Sequence, residues 1–381
     1  MAKADQETVW NLIKVWVAGS PGDAAKHDLR ERIRKYAFTR RARVRGVSGA
    51  ARDRVREAYE LLRPNDLIMR HLWLFAQSWV DESADELEDK DFDFDKHQNR
   101  VDTLRKAALE EIWRASGYDG IVRLCGLGNA DFAIGWLLSD GVIPTEQHPA
   151  VLDRLASQIA PPPEQKIDHL ISSYLARLNP DVRCHTVSGL LRRFLSAGAD
   201  GANKSIRILK CSLFRAETWR HVDMLPEELR RRYWRETYVH WDRQSEGELN
   251  ILVDRLIEAE RPRAAFNAIH MDFGKVSTER LIKLLRSIAT SSSEPADRFP
   301  FGQYEISEAF KSLKMRAEIA PETLAQLEFM YVEVLNNSEY GIPTLEQELA
   351  TEPRLFVQLV SLVYRRRDEG EDPAEWLIAD E

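Results

Sequence analysis

SEGELNILVDRLIEAERPRAAFNAIHMDFGKVSTERLIKLLRSI, residues 245–288, reads as three helices in quick succession, and LPEELRRRYW at 225–234 leads into it. Ser245 followed three residues later by Glu248 is a capping-box pattern. Leu249, Leu252, Val253, Leu256 and Ile257 then recur on one helical face, while Asp254, Arg255 and Glu258 point away. Pro262 closes that helix or opens the next. Phe266, Ile269 and Phe273 make a second apolar stripe, and Gly274 is placed to cap its C-terminus. Ser277 is placed to cap a third helix, with Val276 and Leu281 spaced as a hydrophobic staple. Leu281, Leu284, Leu285 and Ile288 form its stripe. Helices with one apolar face and short connections can bury those faces only against each other. The expectation is that Leu249, Leu252, Leu256, Leu281 and Leu285 lie buried between neighbouring helices.

At 381 residues the chain exceeds the usual size of one compact core. It is either multi-domain or a solenoid that grows by adding layers. Hydrophobic residues make up 44% and charged ones 30%, the composition of a folded, soluble protein. A net charge of −8 argues against general nucleic-acid binding. Cys125, Cys184 and Cys211 form no CxxC pair, which suits a reducing cytoplasm. The N-terminal residues lack a signal-peptide layout, and no apolar run is long enough to span a membrane. These features predict a cytoplasmic protein.

Working outward, a first helix is expected at 7–17 with Val9, Leu12, Ile13 and Val17 on its inner face. A second follows at 24–38. Another carries Val55, Tyr59 and Leu62 and ends at Pro64. Ile68, Leu72, Phe75 and Trp79 mark an apolar, buried helix. Residues 81–95, DESADELEDKDFDFD, are the sharpest change in composition and read as a solvated acidic loop. Asp91, Asp93 and Asp95 resemble the start of a calcium loop. Lys96 stands where that loop needs Gly, and Asp102 where it favours Glu. Helices are then expected at 97–116, 120–127, 130–138 and 151–159, before the proline run 161–163. Further ones fit 165–178, 186–197, 204–214, 305–313 and 321–335. Thr344 and Gln347 suggest a capping box, and Pro353 opens a last helix with Leu355, Phe356, Leu359, Val360 and Val363 inside. The domain reading is a helical segment at 1–80, an acidic loop at 81–96, a helical segment at 97–160 and a helical-repeat array at 161–381. No segment alternates as a strand does. The fold class is all-α: an irregular α-solenoid of stacked helical hairpins, with divergent units of roughly 30–45 residues.

Motifs for chemistry are near-misses. GADGANKS at 198–205 has the Gly, Lys and Ser of a phosphate-binding loop, but Asn203 replaces its second Gly and a helix precedes it. Gly126-Leu127-Gly128 lacks the third glycine of a dinucleotide fingerprint. Cys184-His185 has no second pair to complete a metal site. His240-Trp241-Asp242 reads as a packed turn. No GxSxG or HExxH occurs. The reading names no catalytic, cofactor-binding or metal-ligating residue and no cofactor. Tyr233, Trp234, Tyr238 and Trp241 read as core more than as a stacking platform. The candidate interaction surface is the basic run Arg40, Arg41, Arg43 and Arg45, suited to an acidic protein surface or to phosphates.

Residues 225–234 with 252–266, LVDRLIEAERPRAAF, resemble the C-terminal helical regions of large bacterial STAND-type NTPase proteins. So do LAQLEFMYVEVL at 324–335 and TLEQELATEPRLFVQLVSLVYRRRD at 344–368. RPNDLIMRHLWLF at 63–75 and RKAALEEIWRASGYDGI at 105–121 are earlier matches. Some relatives of that architecture are immune sensors against phage, in which the helical arm recognises a target and oligomerisation switches an effector. The resemblance implies the arm alone. These residues hold no counterpart of the NTPase or effector modules, so a split subunit, a truncated product or part of a longer chain is expected.

The expectation for function is a non-catalytic helical-repeat protein, the sensor or scaffold arm of a defence-type system. Its partner would be a protein: an NTPase or effector module, or a phage protein. The alternatives are a nucleic-acid-associated subunit using Arg40–Arg45, and an enzyme with an unrecognised site.

Overall fold

The computed structural model describes residues 3–38, 49–80, 93–158, 163–239, 244–291 and 302–351, together with 353, 356 and 357. Among these residues the chain is all-α, with no strand. It divides into two compact units, Met1–Leu213 and Phe214–Glu381.

The first unit begins with α1 (Lys3–Ala18), α2 (Asp23–Ala37) and α3 (Gly49–Leu61). They share a core of Ile13, Ile33, Ala37, Phe38, Val55, Ala58 and Leu62, with Trp10, Val17, Leu29 and Tyr59 packed against it. The inner face of α1 is therefore Trp10, Ile13 and Val17, while Val9 and Leu12 are exposed. Of the face expected from sequence Ile13 and Val17 are inside and Val9 and Leu12 are not, because α1 is apolar at most positions from Val9 to Val17 and spacing alone does not choose the side that meets neighbours.

Next come α4 (Leu67–His71), a 3₁₀ turn (Leu72–Leu74) and α5 (Phe94–Leu127). Ile68, Leu72 and Phe75 are buried as expected, but helix ends at Leu74 and Trp79 is 44% exposed. Arg105 of α5 takes the carbonyls of Leu74, Gln77 and Ser78, at 2.8, 3.1 and 2.9 Å. Those oxygens are thereby withdrawn from any continuing helix. Trp79 instead stacks on Phe94 and His97. Helix α5 starts ahead of the expected 97 because Asp93 caps it, accepting from the Lys96 N–H. Gly117 breaks it at φ 55°, ψ −140°. That conformation is open to glycine and strained for other residues, which explains why the sequence read as two helices there.

The unit closes with α6 (Asp131–Leu137), a π turn (Leu138–Val142), α7 (His148–Ala156), α8 (Glu164–Arg177), α9 (Pro180–Leu195) and α10 (Gly198–Cys211). The units divide at 213/214 rather than at the proline run. Arg207 of α10 gives the physical reason: it donates to the carbonyls of Ala156 and Gln158 and pairs with Asp168, binding both flanks of the run together.

The second unit holds α11 (Ala216–Asp223), α12 (Glu227–Glu236), α13 (Glu246–Glu258), α14 (Pro262–Ile269), α15 (Thr278–Thr290), α16 (Gln303–Lys314), α17 (Pro321–Met330), α18 (Val332–Leu335) and α19 (Pro343–Thr351). The Ser245–Glu248 capping box is present. Leu249, Leu252, Leu256, Leu281 and Leu285 are all fully buried, each contributing about 1.5–3 kcal/mol by removal from water. Pro262 takes the first turn of α14. Gly274 does not cap α14, which ends at Ile269; it lies in a separate 3₁₀ turn, Phe273–Lys275. Ser277 is the N-cap residue of α15, yet its hydroxyl accepts from Arg280 and its N–H donates to Asn250. The helix expected across 321–335 breaks at Tyr331, whose hydroxyl donates to the Leu285 carbonyl. Helix α19 starts at Pro343, so Thr344 lies inside its first turn, and buried Glu328 accepts the Leu345 N–H. Phe356 and Val357 are exposed; Leu355, Leu359, Val360 and Val363 lie outside the described residues.

One device recurs in both units. Arg183 donates to the carbonyls of Leu175 and Leu178, Arg261 to those of Trp234 and Thr237, and Arg316 to those of Phe273 and Val276. Helix C-termini leave four carbonyls without intrahelical partners, and at the ends of α8 and α12 guanidinium groups take two of them or their neighbours, while Arg316 does the same at the 3₁₀ turn Phe273–Lys275.

Candidate interaction surfaces

Arg40, Arg41, Arg43 and Arg45 lie outside the described residues, in the connection between α2 and α3. So do 81–92 of the acidic loop and 240–243, which include His240, Trp241 and Asp242.

Arginines that the sequence reading passed over do converge. Arg30 of α2, Tyr59 and Glu60 of α3, Arg63, Arg70 and His71 at and around α4, Trp73, and Glu111 of α5 line a groove of about 360 Å³. Leu74, Leu104, Ala107 and Ala108 contribute its apolar part. Backbone carbonyls fix two of the guanidinium groups. Arg30 donates to Tyr59 O at 3.1 Å, and Arg70 to Pro64 O and Asn65 O at 3.3 and 3.4 Å. Arg30 also lies over the Tyr59 ring, 3.9 Å from its centroid, and Arg34 over Trp73. Their carboxylate neighbours stand farther off, Glu60 at 3.6 Å from Arg30 and Glu111 at 3.8 Å from Arg70, beyond hydrogen-bond length. Arg63 is exposed and has no side-chain partner among the described residues.

His71 and Glu111 pair at 2.8 Å. Burial holds His71 below the ordinary histidine range; Glu111 pulls the other way, and the charges of Arg70 and Arg63 add to the depression. Burial raises the Tyr59 hydroxyl, against the pull of Arg30 and Arg34. The groove thus presents oriented donors beside an uncharged imidazole. Sequence missed it because its members come from four helices, the 3₁₀ turn and the segment before α4, and no basic run marks them.

The 198–205 near-motif is part of α10, with no phosphate-cradling loop. Ser205 is buried and its hydroxyl donates to Gly201 O, while Lys204 pairs with Asp200. A Cβ at Gly201 would overlap the Phe194 carbonyl, so the glycine serves close packing of α10 on α9. Cys125 and Cys211 are buried, their thiols pushed up to about 12 by desolvation; Cys184 is exposed. Among the described residues no group of three His, Cys, Asp or Glu side chains could hold a metal ion, and no helix is long and apolar enough to cross a membrane.

In the second unit Tyr233 and Trp234 are buried with Trp219 and Phe214 in an aromatic cluster, whereas Tyr238 is exposed. Trp219, Phe266 and Phe310 are spaced 47 and 44 residues apart and all are buried. Val222, Ile269 and Leu313 keep the same spacing and are also buried. So spaced again are Met224, Met271 and Met315, which are 68%, 67% and 89% exposed. Met224 and Met315 are the C-cap residues of α11 and α16, and Met271 lies two residues past the end of α14; Pro226, Ser277 and Ala320 are the N-cap residues of α12, α15 and α17.

Comparison with models of known protein families, with curated proteins and with solved structures finds no match to this chain.

Proposed function

We propose that this chain is a non-catalytic α-helical-repeat protein, arranged as an irregular solenoid, that binds another protein in the cytoplasm. On this reading it is the sensor or scaffold arm of a bacterial defence system of the STAND type. It works by matching a surface, with no covalent step.

The observation that carries the reading is the recurrence of one pattern in the second unit: a buried aromatic, a buried aliphatic and an exposed methionine at Trp219/Val222/Met224, Phe266/Ile269/Met271 and Phe310/Leu313/Met315. On this reading the buried members are the core positions of successive helical hairpins. Packing does not require the exposed one. Methionine is flexible and polarisable and is over-used on surfaces that adapt to partners.

The test is affinity capture from cells of the source organism, with and without phage challenge, using the wild-type chain and Met224→Ser/Met271→Ser/Met315→Ser. The expected result is a protein retained by the wild type and lost with the triple variant at unchanged helical content. Retention of the same proteins by both would overturn the role given to this edge.

A further inference from the structure

We propose that the groove between α2, α3, α4 and α5 is a binding site for an acidic peptide segment, one that presents a carboxylate side chain beside an apolar one. This site is separate from the methionine edge and does not depend on it.

Its donors are already oriented. Arg30 and Arg70 are held by the carbonyls of Tyr59, Pro64 and Asn65, so little conformational freedom is lost when an anion arrives. Glu60 and Glu111 form only long ion pairs with these two guanidinium groups, at 3.6 and 3.8 Å. Arg63 stands exposed at the same groove, close enough for its charge to act on His71. A planar guanidinium fork matches the two oxygens of a carboxylate. The accessible apolar component, Trp73, Leu104 and Ala107, suits a neighbouring aliphatic or aromatic side chain.

The lining also decides between polyanions. Three arginines are interleaved with two glutamates, leaving a small positive excess. A nucleic-acid strand presents a phosphate about every 3.4 Å and would be driven against Glu60 and Glu111. A peptide can place one carboxylate among the arginines and leave the glutamates facing water. The volume of about 360 Å³ takes a few side chains and no duplex.

The test is fluorescence anisotropy with a labelled peptide of alternating Glu and Leu, alongside a labelled DNA duplex and inorganic phosphate as competitor. Peptide binding should weaken as salt rises. Arg63→Glu should lower affinity by about tenfold or more, the equivalent of one charge-assisted contact. Ala107→Glu, at an exposed helical position in the groove, should do the same without unfolding α5. Arg32→Glu makes the same change of charge at an exposed position that is not part of the groove lining, and should leave affinity within about twofold. The proposal is overturned if the peptide does not bind, if Arg32→Glu weakens it as much as Arg63→Glu, or if the duplex binds better than the peptide. Circular dichroism and melting of each variant separate loss of site from loss of fold.

Discussion

Replacing Arg105 by Met tests whether buried arginines hold the helix ends of this protein together. The side chain is 2% exposed and makes three hydrogen bonds to the carbonyls of Leu74, Gln77 and Ser78. Hydrogen bonds to a charged donor are worth about 1.5–3 kcal/mol each, which sets an upper limit of roughly 4.5–9 kcal/mol if all three were simply lost. Two effects reduce that limit. The guanidinium itself was desolvated, so removing it recovers several kcal/mol, on the order of what a buried ion costs. Gln77 and Ser78 are exposed, so water can take over their carbonyls; Leu74 is buried, and its carbonyl would remain unsatisfied at about 1–3 kcal/mol. The net expectation is about 2–4 kcal/mol, with Met filling most of the aliphatic volume. Urea unfolding followed by far-ultraviolet circular dichroism reads this as a midpoint lowered by roughly 1–2 M, given a slope of about 2 kcal/mol per M. Arg105→Lys should fall between, since one ammonium cannot span three carbonyls spread over Leu74–Ser78. A midpoint shift under about 0.3 M for Arg105→Met would refute the reasoning. It would mean that an apolar side chain serves as well there, as happens for some buried ion pairs.

Acid should destabilise the fold from about pH 6.5 downward. Burial lowers His71, His148 and His221 below their ordinary value of 6.5, so in that window the unfolded chain binds protons that the folded one does not. Their contribution is complete above 6.5 and is lost as pH falls through the folded values, with a slope of up to about 1.4 kcal/mol per pH unit per histidine; unchanged urea midpoints between pH 7.5 and 5.5 would contradict this. Gly117→Ala should cost about 1–3 kcal/mol from backbone strain alone, since nothing lies within 4 Å of the added Cβ, and should lower Tm by several degrees in thermal melts. Glu328→Ala strands the Tyr340 hydroxyl and the Leu345 N–H, both bound by this buried carboxylate, and should cost about 2–5 kcal/mol. Hydrogen exchange at the Leu345 amide should accelerate in that variant, whereas unchanged protection would show that α19 is held by other means.

The helices were legible where apolar spacing and punctuation agreed. From Leu249 to Leu256 a capping box, a 3–4 stripe and a following proline all point to one helix with one buried face, and the structure has that helix. Legibility failed where one signal stood alone. In α1 the apolar residues surround the helix, so spacing could not choose between Leu12 and Trp10 for the core. Gly274 is a good cap residue, but Arg316 binds the Phe273 carbonyl beside it and the chain turns before a cap is needed. The groove was hidden for another reason. Arg30, Arg63 and Arg70 look in sequence like any surface arginines. What distinguishes Arg30 and Arg70 is a backbone carbonyl partner, on α3 for Arg30 and in the turn just before α4 for Arg70, which has no residue code.

The same property connects the arginines to the architecture. Helices such as α11, α14 and α19 are only eight or nine residues long. Four carbonyls at each C-terminus lack intrahelical partners, so in helices this short about half of all carbonyls need one from elsewhere. Glycine caps satisfy them locally, and among these three helices none ends on one. In the second unit Arg261 and Arg316 reach back 24 to 43 residues, to carbonyls at the end of α12 and to those of Phe273 and Val276 at the 3₁₀ turn. Each arginine therefore satisfies hydrogen bonds and fixes the position of one helix on another in a single contact. Trp219, Phe266 and Phe310, 47 and 44 residues apart, are buried alike.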